Sequence, residues 1–195
     1  MIAILETPDV RSRAMPINVD TYHWMIAHGM VARRAELIRG VIIEKMSKSS
    51  LHSILAKRFY DWLLRTAGPG WYVRKEDPLT LCDSEPEPDI TVVRGSEADF
   101  LHAHPRTAAL VVEIAVSSEA TDREMIVAYA EAGVEECWLV LGKRRQIECY
   151  TEPRAGAYQT VRRLGMKDTL VCTALPGVSL DLSTLFPPAT ADAAE

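Results

Sequence analysis

Glu113 sits in the middle of LVVEIAV, a run of otherwise apolar side chains. A carboxylate in such a strand is costly unless it is paired, protonated or bound to a cation. Two readings are open: a structural ion pair or sheet-edge position, and a metal ligand. Asp89 bears on the choice. It lies 24 residues earlier, at the mouth of DITVV and directly after Pro88. Proline favours an extended entry, which puts Asp89 at a defined end of a strand. If the two strands are neighbours, both carboxylates can converge on one hard cation such as Mg²⁺, which takes oxygen ligands and keeps several waters. A water held in that way can attack phosphorus. Acidic residues flank strands in many folds, so the pair alone does not settle the chemistry.

The surrounding elements must bring these two residues together. NVDTYHWMIAHGM, residues 18 to 30, opens on the capping residues Asn18 and Asp20 and spaces Tyr22, Met25, Ile26 and Met30 as a short helix would. AELIR and VIIEKM flank Arg39-Gly40 and read as two antiparallel strands, about 35 to 39 and 41 to 46, joined by a tight turn. From Ser50 to Thr66, Leu51, Ile54, Leu55, Phe59, Trp62 and Leu63 recur at helical intervals until Gly68-Pro69-Gly70 ends the pattern. WYVRK (71 to 75), DITVV (89 to 93) and ALVVEIAV (109 to 116) are three strands, the last apolar enough to be covered on both faces. Ser118 to Ala132 predicts a helix with Ile126, Val127 and Ala130 inward, followed by the buried strand CWLVL at 137 to 141. RQIECYT and AYQTVRRL, separated by PRAG, form a second hairpin. The core order is helix, three strands, helix, strand, an α/β arrangement around a mixed sheet with a right-handed crossover and a hairpin added at each end.

Composition narrows the class. At 195 residues the chain fits one domain. We expect it to span 18 to 186, after an N-terminal extension of 1 to 17 and before a disordered tail from 187 to 195, PPATADAAE, which offers little area to bury. No run reaches the roughly 20 apolar residues of a membrane helix, and MIAILETPDVRSR lacks the basic start of a signal peptide, so a cytoplasmic location is expected. The four cysteines have no CxxC pairing and no zinc-finger histidine spacing, which reads as reduced cysteines in or near strands. A net charge of −5 argues against bulk coating of DNA by positive charge. It leaves room for local contact to phosphates through Arg33-Arg34, Lys143-Arg144-Arg145 or Arg162-Arg163, each of which also reads as ordinary solvated surface. An α/β hydrolase or nucleotide-binding fold is disfavoured, since GxSxG, P-loop and GxGxxG patterns are all missing.

Several segments together, PEPDITVV, LVVEIAVSS, YAEAGVEECWLV, ELIRGVIIEKMS with a histidine in the helix that follows, and LPGVSLDLSTLF, resemble the Uma-two family of restriction-endonuclease-like proteins, within the PD-(D/E)xK nuclease superfamily. The resemblance covers roughly residues 18 to 186. It implies the restriction-endonuclease-like fold and a metal-dependent endonuclease acting on nucleic acid, with DNA the expected substrate and Mg²⁺ or Mn²⁺ the expected cofactor. Residue by residue, Asp89 matches the aspartate of the PD motif and Glu113 the acid of the (D/E)xK motif, both as metal ligands. Glu36 and His52 match a recurrent glutamate and histidine that complete the expected catalytic set, although Glu36 also reads as a hairpin ion-pair partner and His52 as an exposed or capping residue.

The chain departs from the pattern at its lysine. Two residues beyond Glu113 stands Ala115, and the position from which the family often supplies the lysine, four before Tyr129, is Met125. Leu141 stands where the family has an aspartate after WLV. Lys45, Lys48 or Arg123 could stand in for the lysine, although nothing in the sequence singles one out. A thioether cannot polarise water or offset charge in the transition state. The expectation is therefore a nuclease weakened by loss of this lysine, with a catalytically silent nucleic-acid-binding or scaffold domain as the alternative. Cutting both strands of a duplex favours a two-fold homodimer.

Overall fold

Asn18 sets the start of the first helix of substance in the computed structural model, which describes residues 7–11 and 13–187. Its Oδ1 accepts a hydrogen bond from Thr21 N at 2.8 Å. A single turn, α1 (Pro8–Arg11), precedes α2 (Val19–Ala27). The helix stops three residues short of the expected end, because Gly29 takes a φ of 69°. Ile26 and Met30 are consequently exposed, and the face toward the core is Val19 and Tyr22.

The Arg39-Gly40 turn joins β1 (Ala35–Ile38) to β2 (Val41–Glu44) with φ values of 50° and 74°. Two consecutive left-handed residues match the right-handed strand twist of a tight hairpin. Gly40 is closely held: its N–H donates to Asp83 O at 2.8 Å, and a Cβ there would run into the Pro16 side chain. The hairpin is a separate two-stranded sheet, tied to the rest by a bridge from Leu37 to Glu85.

α3 (Ser50–Thr66) begins where Ser49 Oγ accepts from His52 N at 3.3 Å. Its buried stripe is Leu55, Ala56, Phe59, Trp62 and Leu63, whereas Ile54 faces solvent. There follow β3 (Trp71–Arg74), β4 (Ile90–Arg94), β5 (Leu110–Ala115), α4 (Glu119–Glu131), β6 (Glu136–Leu141), β7 (Gln146–Arg154) and β8 (Ala157–Gly165). The six strands form one sheet in the order β3-β4-β5-β6-β7-β8. Only β5 and β6 are parallel, as the α4 crossover between them requires; the other neighbours are antiparallel. The sheet is therefore mixed, and the expected order of helix, three strands, helix, strand is present.

Side-chain alternation along β5 divides the core. Leu110, Val112 and Ile114 join Phe59, Leu63 and Trp138 beneath α3, while Val111 and Ala115 join Met125, Ile126 and Tyr129 beneath α4. Val127, expected inward, is exposed. The inner stripe of α4 is set by Met125, Ile126, Tyr129 and Ala130, and Val127 lies round the helix from it. The C-terminal segment adds a small unforeseen sheet, β9 (Thr169–Val171) with β10 (Ser179–Asp181). Leu170, Leu175, Val178, Leu182 and Leu185 carry that segment into the core under α3.

The segment is pinned by Glu136, a fully buried carboxylate. Glu136 accepts from Trp138 Nε1 at 2.6 Å, Thr173 N and Oγ1 at 2.7 Å each, and Ala174 N at 3.0 Å. All four cysteines are free, with Cys137, Cys149 and Cys172 buried and Cys82 exposed. No helix among the described residues is long and apolar enough to cross a membrane. The tail expected from 187 onward lies, from residue 188, outside the described residues.

Candidate active site

The antiparallel register of β4 and β5 pairs Ile90 with Val112, and one further step along it sets Asp89 opposite Glu113. Asp89 N lies 3.4 Å from Glu113 Oε2. Both side chains face one cleft of about 560 Å³, and Glu36 and His52 line it too. The four residues singled out from the sequence thus meet in one place. A second cleft of about 660 Å³, lined among others by Asp20, His23, His102 and Arg106, shares no residue with it.

Asp89 is buried and fully engaged. Its Oδ2 accepts from Ile114 N and from His52 Nε2, each at 2.9 Å, and its Oδ1 accepts from Lys48 Nζ at 2.8 Å. Burial pushes this carboxyl up, but His52 and Lys48 outweigh burial and hold it below its ordinary value, so it is ionised. An ionised carboxylate only accepts, which makes His52 Nε2 the donor. His52 Nδ1 is then a buried nitrogen without a hydrogen-bond partner.

Glu113 behaves in the opposite way. Burial raises it well above the usual carboxylate range, and the charges of Asp89 and Asp122 add to the effect, against a hydrogen bond from Tyr129 OH at 2.5 Å. Asp122, in the first turn of α4, accepts from Ser118 Oγ at 2.6 Å, yet burial and the Asp89 charge push it up to about 6. Glu36 is raised by burial, opposed by the Glu87 N–H at 3.1 Å and by Lys45, which is ion-paired to Glu87.

Sequence reasoning left the cation unplaced. Met125 is buried on the inner face of α4 and does not line the cleft. Arg123 is committed to Glu148 at 2.7 Å, Tyr150 at 2.9 Å and Glu119 at 3.0 Å. Lys48 bridges Asp89 and Glu76, the latter at 3.1 Å. Burial lowers the Lys48 ammonium, but these two carboxylates outweigh it and the net direction is upward. Of the basic clusters, only Arg33-Arg34 lines the cleft; Arg144 pairs with Glu119 and Arg163 with Glu148. Asp122, Tyr129, Glu76 and the role of Lys48 escaped the sequence, because each depends on contacts between elements far apart in the chain.

The donor set suits a hard divalent cation. Seven carboxyl groups line the cleft, and three of them, Glu36, Glu113 and Asp122, are raised by burial and by repulsion from neighbouring carboxylates that bound positive charge would relieve. Among the described residues, no group of three or more His, Cys, Asp or Glu side chains is placed to hold a metal ion. Mg²⁺ is commonly held by one or two carboxylates with waters and substrate phosphates completing its shell. Asp89 and Glu113 fit that pattern.

Comparison with known proteins agrees with the fold. No curated protein matches the chain. A crystal structure from Anabaena variabilis ATCC 29413, described as "a putative nuclease belonging to DUF820", superposes with a TM-score of 0.74 at 18% identity, over 88% of this chain and 98% of that one. At that identity the likeness establishes the shared fold. The profile of the Uma2 family, described as "Putative restriction endonuclease", matches residues 29–183, most of the chain. With its sheet, its two helix-covered faces and its acidic cleft in place, the chain belongs to the Uma2 family of restriction-endonuclease-like proteins.

Proposed function

We propose that this protein is a metal-dependent endonuclease that hydrolyses phosphodiester bonds of nucleic acid, with DNA as its substrate. The observation that carries the reading is the placement of Asp89 opposite Glu113 in one cleft, with His52 and Lys48 on Asp89 and Tyr129 on Glu113. Asp89 and Glu113 would hold a Mg²⁺ or Mn²⁺ ion. When bound, such an ion acts as a Lewis acid on the phosphoryl oxygen and lowers the pKa of an attacking water. The chain's own groups do the rest. His52 and the Ile114 N–H fix the Asp89 carboxylate in one orientation, and Tyr129 does the same for Glu113. Glu36 enters from the N-terminal hairpin, anchored on the Glu87 N–H. Arg33 and Arg34 line the rim, where they can take the phosphates on either side of the scissile bond. Symmetric cutting of a duplex calls for two such clefts, and hence a homodimer, in the cytoplasm.

The competing reading, a silent nucleic-acid-binding domain, draws on the uncharged Met125, buried on the inner face of α4. A cleavage assay with plasmid and oligonucleotide substrates over a Mg²⁺ and Mn²⁺ titration separates the two. The wild type should cut only with metal. Asp89→Asn and Glu113→Gln should each lose more than the roughly 10- to 100-fold that follows loss of a residue merely supporting a metal ligand. A wild type that cuts neither DNA nor RNA with either metal would overturn the endonuclease reading.

A further inference from the structure

We infer that Lys48 supplies the positive charge of this site from the β2–α3 connection, and that its ammonium and a divalent cation alternate as partners of Asp89 Oδ1. The inference rests on the metal-dependent reading of the cleft and adds to it a competition written into the chain itself. Among the described residues, Lys48 is the lysine or arginine whose cationic group stands within hydrogen-bond distance of either central carboxylate. Lys45 is occupied by Glu87 and Arg123 by Glu148 and Glu119.

Lys48 also has somewhere to go. Its second partner, Glu76 Oε1, is 3.1 Å away and half-exposed at the cleft rim, whereas Asp89 is buried. Glu76 is itself built in place. Its backbone has a φ of 55°, a conformation rare for a residue with a side chain, and its N–H donates to Pro88 O at 3.2 Å and Asp89 O at 3.3 Å. The strand end that carries Asp89 therefore also fixes the carboxylate beside it. A lysine on a flexible four-carbon stem can shift between two acceptors so placed without backbone movement. In the metal-free protein the ammonium neutralises Asp89. Once Asp89 Oδ1 is given over to a divalent cation, Lys48 stays tethered by Glu76 and is free to face a phosphate oxygen. Glu76 acts here as a positioning residue.

Competition of this kind is reciprocal: the metal weakens the lysine contact by the same factor by which the lysine contact weakens metal binding, so removing the lysine should tighten the metal. Titration calorimetry with Mn²⁺ on the full chain reads it directly. Lys48→Met should bind Mn²⁺ about tenfold more tightly than the wild type, within the usual range of coupling between two sites. Cleavage by Lys48→Met should fall by about 10²- to 10³-fold, the scale for loss of one preorganised charge-stabilising group. A lysine with a merely structural role would not produce tighter metal binding together with slower cleavage. Lys48→Gln, which keeps polar reach without charge, is the second variant should the methionine perturb folding, and it should behave in the same way. Mn²⁺ affinity that is unchanged or weaker in both variants overturns the inference, and so does cleavage that persists at the wild-type rate. If the wild type cuts no nucleic acid, the endonuclease reading fails separately and the affinity comparison alone decides the role of Lys48.

Discussion

Asp122→Asn should stabilise the metal-free protein, and only at neutral and alkaline pH. Asp122 is raised from 3.8 to about 6, chiefly by burial and then by the Asp89 charge, against the hydrogen bond from Ser118. A displacement of that size favours the protonated form by about 3 kcal/mol, since each pKa unit corresponds to about 1.4 kcal/mol. The folded-state value lies above the unfolded one, so the favourable contribution is present below about pH 4 and is lost as pH rises through about 6. Asparagine keeps an acceptor for Ser118 and carries no charge. We expect the variant to exceed the wild type by about 2–3 kcal/mol at about pH 8, or roughly 5–10 °C in Tm for a chain of this size, and to match it near pH 4. Urea and thermal unfolding of both proteins at the two pH values measure this. Glu113 titrates in both proteins and the Asp122 charge adds to its rise, so the difference between the curves reports Asp122 together with its coupling to Glu113. Mg²⁺ at the higher pH should narrow the gap by binding the native wild type. A difference that stays constant between the two pH values would refute the electrostatic account, and so would a variant less stable than the wild type at high pH.

Two further changes test how the site is supported. Glu136→Ala removes an acceptor shared by Trp138, Thr173 and Ala174 in a fully buried position. It should cost about 3–5 kcal/mol in urea unfolding and selectively accelerate amide exchange over β9 and β10. Gly40→Ala forces a side chain onto a φ of 74° and into Pro16. It should destabilise by more than about 1 kcal/mol, with metal-dependent cleavage falling as the hairpin bearing Glu36 loses its place.

The sequence disclosed the centre of the site better than its surroundings. Glu113 stood out because a carboxylate in an apolar strand demands compensation, and Asp89 because Pro88 marked the entry to its strand. Both signals are local. Lys48 carries no such mark: in VIIEKMSKSS it is one of two lysines in a polar connection, and only the fold decides which one meets Asp89. Asp122 looks like an ordinary acidic residue in the first turn of a helix, and what sets it apart is burial among other acids. The sheet and both packing helices were legible from periodicity. The errors fell where periodicity is ambiguous. Ile54 and Val127 are apolar neighbours of true core positions and lie just off the stripe, while β9 and β10, at three residues each, are too short to display an alternation.

Glu136 also imposes an order on synthesis. β6 is synthesised before Thr173 and Ala174, so its carboxylate at first lacks three of the donors that later hold it. Until those residues emerge, that oxygen is better served by water than by the interior, which opposes full closure of the sheet face under α3. The last stretch of the described chain, Leu170 to Phe186, therefore acts as the latch of the nascent protein. β5, which carries Glu113, pairs along its whole length with β6. The acidic cleft thus takes its final shape late, after the translating machinery has already delivered nearly everything it is made from.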